Sequence, residues 1–250
     1  MKRHQSILEK LKKDHHVEVS ELCEELKVSA VTIRKDLKLL EDKGLLFRTH
    51  GGATLENPYI TDRPVNEKEK IAISEKQKIA QTAANLIKDK DSIMIASGTT
   101  VQELARCITN KGPLNVISSS LHVSLELLKH PNIEVIQLGG SLRHSSASVT
   151  GYYGRLLLKN ITCNMVFMGV DGIDVDYGCT TTSLEEALLN QRMITASQHT
   201  IILADSSKFG KKSFGRICAI DQIDQIITDK GISNVQIKKF KALGVKLTIV

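Results

Sequence analysis

The sequence predicts a two-part α/β chain: a small helical unit closed by a hairpin, then a larger unit built on a mostly parallel sheet. Three observations predict it. Residues 1–54 carry three short amphipathic helical patterns separated by tight turns. From Ser74 onward, apolar runs of strand length alternate with helical patterns, which is how a parallel sheet covered on both faces reads. Aromatic residues make up only 4% of the chain and tryptophan is absent, so the core must be assembled from Leu, Ile, Val and Ala, as α/β packing allows. A length of 250 residues is comfortable for two domains.

The first helix is expected over Arg3–Lys13, with Ile7, Leu8 and Leu11 on one face. The second spans about Val19–Leu26, with Ser20 as its N-cap and Val19, Leu22, Cys23 and Leu26 as its buried stripe. Lys27-Val28-Ser29 is a turn of helix-turn-helix length, and Ser29 caps a third helix over Ala30–Asp42. There Ile33, Leu37 and Leu40 follow i, i+4, i+7 spacing and face the core. At about 100° per residue, Val31, Lys35 and Lys38 then point outward, with Thr32 and Arg34 on the flanks. Cations, a hydroxyl and a small apolar group are what a helix in the major groove uses. A merely solvated face would carry the same groups; the two helices, short turn and hairpin around it favour DNA. After Gly44, Leu45–Ala53 reads as a strand pair with a Gly turn, a wing on which Arg48 and His50 share one side. A plain hairpin with exposed polar residues would look alike. The expected DNA contacts are Ser29, Val31, Thr32, Arg34, Lys35, Lys38, Arg48 and His50. The first unit is thus expected over 1–56 as a winged helix-turn-helix, followed by a linker over 57–74, where Asn57-Pro58, Arg63-Pro64 and several charges break periodicity.

The second unit, 75–250, carries strand runs at Ser92–Ala96, Leu114–Ser118, Ile133–Leu138, Met165–Gly169, Ile201–Ala204, Gln225–Thr228 and Val245–Val250. Helical patterns lie between them at Thr99–Cys107, Leu121–Leu128, Leu184–Ala196 and Asn234–Leu243. Ser97-Gly98-Thr99-Thr100 follows a strand and opens a helix. Small residues there leave backbone N–H groups free for an anion, and the helix dipole favours negative charge. An ordinary capped turn reads similarly, and no Gly-Lys-Ser/Thr follows to make a Walker loop. Ser118-Ser119-Ser120 ends the next strand, at the sheet edge where ligands collect. Leu138-Gly139-Gly140-Ser141-Leu142-Arg143 ends another. Its glycines allow close backbone approach, Arg143 suits a phosphate or sugar oxygen, and Gly151 follows.

Bulk composition narrows the function classes. Hydrophobic content of 41% and charged content of 25% suit a globular protein. No apolar run approaches the ~20 residues of a membrane helix, and Met1–Lys10 lacks the apolar stretch of a signal peptide, so a cytoplasmic protein without membrane partners is expected. Cys23, Cys107, Cys163, Cys179 and Cys218 form no Cys-x-x-Cys pair, which argues against zinc and against a disulfide framework. Neither metal nor cofactor is expected. Net charge is +6, yet residues 1–56 hold 11 basic and 10 acidic residues, so the DNA reading rests on local patterning.

The stretch Val28-Ser29-Ala30-Val31-Thr32-Ile33-Arg34-Lys35-Asp36-Leu37, with Leu40-Glu41, Gly44 and Arg48-Thr49-His50-Gly51-Gly52-Ala53, resembles the DeoR family of bacterial repressors, and the resemblance continues through nearly the whole chain. It implies a sensor domain with the fold of ribose-phosphate isomerases and glucosamine-phosphate deaminases. It also implies a homo-oligomer, dimer or tetramer, that represses a sugar-catabolic operon and leaves double-stranded operator DNA when a phosphorylated sugar binds. Met168–Asp174 together with Glu185–Met193 looks most like the branch controlling amino-sugar or galactitol use. By the same resemblance the segments holding Asp171, Gly172, Glu185, Asp205 and Lys208 line a sugar pocket. Many members carry an acidic residue where Ala96 stands, so this chain lacks one hydroxyl acceptor. A phosphosugar isomerase or deaminase is the main rival, with Asp171, Glu185, Asp205 or His199 as acid–base groups. No tight constellation of them emerges, and such an enzyme has no use for residues 1–54. A dinucleotide sensor lacks its Gly-x-Gly-x-x-Gly, and activation by the same architecture stays open.

Overall fold

The computed structural model describes residues 2–49, 51–55, 62–109 and 112–250, and divides the chain into two units, Met1–Thr61 and Asp62–Val250. The first comprises α1 (Lys2–Asp14), β1 (His16–Glu18), α2 (Val19–Leu26), α3 (Ala30–Asp42), β2 (Phe47–Thr49) and β3 (Gly52–Thr54). Its core is the predicted one: Ile7 and Leu11 from α1, Leu22 from α2, and Ile33, Leu37 and Leu40 from α3, closed by Val17, Leu46 and Ala53. The hairpin gains a third strand that alternation could not announce, because β1 has only three residues; the antiparallel order is β1-β3-β2. Glycine is needed at 52, where a β-carbon would lie 1.9 Å from the Val17 carbonyl oxygen. β1 runs straight into α2, so Glu18, not Ser20, holds the N-cap position. The Ser20 hydroxyl donates to Glu18 instead, and the Val19 N–H donates to the Gly51 carbonyl at 2.7 Å.

The second unit opens with α4 (Val65–Lys68), α5 (Ile73–Ala84), β4 (Ser92–Ile95), α6 (Thr99–Cys107), β5 (Leu114–Ser118), α7 (Leu121–Leu127) and β6 (Ile133–Gln137). It continues with β7 (Ser141–Arg143), β8 (Ser148–Thr150), α8 (Tyr152–Leu157), β9 (Cys163–Met168), β10 (Gly172–Asp174) and β11 (Gly178–Thr181). It ends with α9 (Leu184–Thr195), β12 (Ser197–Leu203), β13 (Gly215–Cys218), β14 (Gln225–Thr228), α10 (Asn234–Ala242) and β15 (Lys246–Ile249). Seven strands form one sheet in the order β15-β14-β12-β9-β4-β5-β6, every neighbour parallel. Successive side chains alternate between its faces. Met94, Val166, Met168, Ile202 and Ile226 pack into one core layer; Ile93, Ile95, Phe167, Ile201 and Ile227 pack into the other. The chain builds outward from β4 to β6 on one side and from β9 to β15 on the other. The order therefore reverses between β4 and β9, and in an open α/β sheet the crevice beyond the carboxyl ends of such a strand pair is where ligands bind.

Two features were not legible as sequence pattern. The segment expected as a linker to residue 74 is, from Asp62 on, part of the second unit. Val65 is buried, and its N–H donates to the Ser145 carbonyl at 2.6 Å. A single helical turn is too short to show a period, and its anchors are charges. The β7–β8 hairpin and the small antiparallel sheet β10-β11-β13 are likewise built from strands of three or four residues. Among the described residues, no helix is long and apolar enough to cross a membrane.

Candidate functional site

In the first unit α3 presents a surface of cations. Ser29 caps it, its Oγ accepting from the Thr32 N–H at 3.3 Å and lying 3.0 Å from the Thr32 hydroxyl. Arg34, Lys35 and Lys38 are exposed, and none forms an ion pair with a described residue. Val31 lies among them, 60% exposed. The opposite face is pinned by Asp36, buried at 8% exposure. It accepts from Arg3 Nε at 2.6 Å and Nη2 at 3.0 Å, and lies 2.9 Å from His4 Nε2. The Arg3 hydrogen bonds, against the opposing effect of burial, hold the Asp36 carboxyl below the usual range. On the wing, Arg48 lies 3.7 Å from Glu41 of α3, whose carboxylate also accepts the Arg48 N–H at 2.9 Å. This tie orients the wing on α3. His50 lies outside the described residues.

In the second unit a polar cleft sits at the sheet's reversal point. It is lined by Ser97, Gly98, Thr99 and Thr100 after β4, by Gly169, Val170 and Asp171 after β9, and by Thr181 at the end of β11 and Thr182 just beyond it. Glu186 and Asn190 of α9, Ser146, Lys208, and Asp62, Val65, Lys68 and Lys76 complete the wall. The first turn of α6 faces this space with no side chain capping it, so its N–H groups have no intrahelical acceptor. Gly98 has φ +128, a conformation glycine adopts freely, and its Cα approaches Gly169.

Charge in the cleft is divided. Lys76 is 4% exposed on the inner face of α5 and donates to the Lys68 carbonyl at 2.5 Å. Burial lowers its pKa, with Asp205 opposing and Lys208 adding to the fall. Asp171 accepts from Lys68 Nζ at 2.8 Å, from the Thr181 hydroxyl at 3.1 Å and from the Thr182 N–H at 3.3 Å. Burial disfavours its charge, but Lys68 and Lys208 outweigh that and keep its pKa low. Glu186 is held up by burial and by Asp171, despite accepting from the Ser97 hydroxyl. Arg143 on β7 pairs with Asp62, and its Nε lies 3.7 Å from Glu186. Lysines and carboxylates thus share this cleft, Lys68 and Lys208 acting on Asp171 and Arg143 on Glu186.

Of the predicted ligand residues, Ser97, Gly98, Thr99, Thr100, Asp171 and Lys208 come together in the cleft wall, and Arg143 joins it through Asp62 and Glu186. Others lie elsewhere. Glu185 is exposed and pairs with Arg155 at 2.8 Å, because one residue of helix turns it away from the cleft; its neighbour Glu186 faces in. Asp205 caps the turn after β12 through the Ser207 N–H at 3.0 Å, outside the lining but beside Lys76. Ser119 is buried, its carbonyl accepting from Val149. Gly140 lets the β7–β8 hairpin close against the Thr150 carbonyl, Gly151 turns the chain into α8 at φ +104, and Gly172 avoids the Lys211 carbonyl. Gly139 is exposed at the hairpin's start. Ala96 is fully buried in the core layer containing Met94 and Ile117, and the rival acid–base residue His199 is an exposed side chain 3.6 Å from Asp224. Missed were Asp62, Lys68, Lys76, Thr181, Thr182, Glu186 and Asn190. A helical reading of 73–84 would have found one of them: Lys76 shares its face with Ile79, Ala80 and Ala83, and a lysine on a buried stripe needs a reason.

Residues 3–58 match the DeoR-like helix-turn-helix domain, and residues 71–230 match the DeoR C terminal sensor domain. The HTH-type transcriptional regulator GolR of Listeria innocua is 32% identical over 247 residues, 99% of this chain and 97% of that protein. The lactose phosphotransferase system repressor of Staphylococcus epidermidis is 35% identical over 216 residues, 85% of each. The glycerol-3-phosphate regulon repressor of Escherichia coli is 29% identical over 227 residues, 91% of this chain and 90% of that one. Among solved structures, ribose 5 phosphate isomerase A of Neisseria gonorrhoeae aligns over 54% of this chain and 52% of its own, with a TM-score of 0.41 and 17% identity. The chain belongs to the DeoR family, with that family's helix-turn-helix domain ahead of its C-terminal sensor domain.

Proposed function

We propose that this chain is a cytoplasmic repressor of a carbohydrate-catabolic operon, released from double-stranded operator DNA by a phosphorylated sugar. Val31, Arg34, Lys35 and Lys38 enter the major groove, Ser29 and Thr32 meet the adjoining backbone, and Arg48 and His50 track a phosphate or minor groove from the wing. A helix-turn-helix reads paired half-sites, so the acting species is a homo-oligomer. The observation that carries the effector half of this reading is the cleft beyond β4 and β9. There Lys76, Lys208 and the uncapped first turn of α6 provide an anion site, and polar side chains surround the rest.

The cleft wall includes the chain that follows directly on the DNA-binding unit. Asp62 occupies Arg143, and Lys68 occupies Asp171. An anionic, hydroxyl-rich ligand competes for Lys68, Arg143 and Asp171, so it binds best where the 62–68 strap has let go. Its differential affinity for that arrangement is the free energy available to disturb DNA binding. Thermal shift and fluorescence titration with inorganic phosphate and a panel of sugar and polyol phosphates test this, followed by gel shift on genomic fragments selected by the purified chain. The reading requires one panel member to stabilise the protein and to release the selected fragment. A chain that picks no fragment over random duplex at moderate salt defeats it.

A further inference from the structure

Asn190 and Glu186 stand one turn apart on α9 and face the cleft together. Asn190 is only 3% exposed, and its Oδ1 finds no hydrogen-bond donor among the described residues. An acceptor buried without a donor costs about 1–3 kcal/mol, and a protein keeps such a group where a partner is to be supplied. Glu186, 7% exposed, has one oxygen accepting from the Ser97 hydroxyl and the other receiving only a long 3.4 Å contact from the Thr181 hydroxyl. Arg143 Nε, 3.7 Å from that second oxygen, is itself buried without a hydrogen bond to a described residue. Two under-used acceptors therefore border the cleft, one turn apart on the same helix.

We propose that Asn190 and Glu186 read a hydrogen-bond donor of the effector, a hydroxyl or an amine on its carbon chain, and so set which phosphorylated compound is accepted. This rests on the cleft being the effector site. The lysines and the α6 N-terminus hold any phosphate alike and cannot tell one sugar from another. Discrimination needs groups that are left unpaired by the wrong ligand, and buried acceptors do this strongly, because an analogue lacking the donor leaves them desolvated and unbonded. The raised pKa of Glu186 adds that a ligand ammonium there would draw the carboxyl into its charged form.

The test is calorimetric titration of the full chain with inorganic phosphate and with ribose 5-phosphate, glucose 6-phosphate, glucosamine 6-phosphate and galactitol 1-phosphate, together with 2-deoxyribose 5-phosphate and 2-deoxyglucose 6-phosphate. We expect the tightest compound to beat inorganic phosphate by about tenfold or more. In Asn190→Leu and in Glu186→Met, each of which removes an acceptor, that advantage falls to about threefold or less, while inorganic phosphate binds within about twofold of the unsubstituted chain. Asn190→Asp, which keeps an acceptor in place, retains the advantage, and binding of a selected DNA fragment reports that each variant is folded. Variants that keep the full advantage overturn the proposal, as does an unsubstituted chain that binds all the compounds and bare phosphate equally. Failure of the underlying reading looks different: inorganic phosphate then does not bind, or binds undiminished in Lys76→Met.

Discussion

The carboxylate of Asp62, first residue of the second unit, closes on the guanidinium of Arg143 at the rim of the cleft, and the Thr182 hydroxyl donates to that carboxylate at 3.0 Å. Burial works against the charge on Asp62, but hydrogen bonds from Ser145, Arg143 and Thr182 prevail and keep its pKa low. The strap is therefore held as an anion against a cation. Replacing Asp62 by Ala removes one charge-assisted anchor, worth about 1.5 kcal/mol, while Lys68 and the Val65 N–H remain. Hydrogen–deuterium exchange of the peptide covering residues 62–70 should then accelerate about tenfold, with peptides from β4 and β9 unchanged. Unaltered exchange in the strap would mean that Arg143 does not hold it.

What the sequence disclosed, and what it hid, follows from length and charge. The α3 face was legible because thirteen residues give several turns of a 3.6 period, and Ile33, Leu37 and Leu40 fix its phase. The parallel strands were legible because burial on both faces makes each an apolar run. The strap was hidden because Val65–Lys68 is a single turn whose anchors, Asp62 and Lys68, look like solvated charges until the fold brings Arg143 and Asp171 to them. Glu185 and Glu186 show the limit of phase. Both precede the apolar positions Ala187 and Leu189, and only the packing of α9 on β13 and β8 decides which carboxylate is buried.

Lys76 is an amine kept out of water, donating to the Lys68 carbonyl. Its folded pKa is depressed by burial, so between that value and 10.5 the folded state binds fewer protons than the unfolded state; stability falls as pH drops through this window, and the cost of charging the buried group is complete below it. Lys76→Met should leave Tm unchanged or raise it without ligand, since a buried charge is exchanged for an apolar chain of similar length. The same variant should bind inorganic phosphate about tenfold more weakly, the loss of one charge-assisted hydrogen bond. Calorimetry and thermal shift on one sample check both. A lower Tm with phosphate binding intact would assign Lys76 a purely structural role.

Arg34, Lys35 and Lys38 are exposed, so their removal should spare the fold and act on DNA alone. Each alanine variant that loses a phosphate contact should lower the slope of log K against log salt by about 1 and weaken all duplexes alike. One that loses a base contact should cost about 1–3 kcal/mol on the selected fragment and little on random duplex. Titration of labelled fragments at several salt concentrations separates the two. Identical binding by all three variants would remove α3 from the groove.

Asp36 is the acid that makes the pH dependence of the first unit predictable. Arg3 foremost, then His4, keep its folded pKa below the ordinary 3.8. The sign follows from proton counting. Between the folded and unfolded pKa values the unfolded chain holds more protons, so stability rises with pH there. The contribution is complete above the unfolded value and is lost as pH falls through the folded one. Asp36→Asn keeps the shape and loses the charge that faces Arg3, so it should lower stability at pH 7 by about 1–2 kcal/mol. That deficit should shrink as both proteins are taken below pH 3.8, because the native carboxyl is then being protonated to the state the amide imitates. Paired melts of the two proteins from pH 7 to pH 2.5, followed by far-ultraviolet circular dichroism, measure the difference directly. A constant difference across that range would show that the Arg3 and His4 contacts stabilise α1 on α3 through packing rather than through the charge on Asp36.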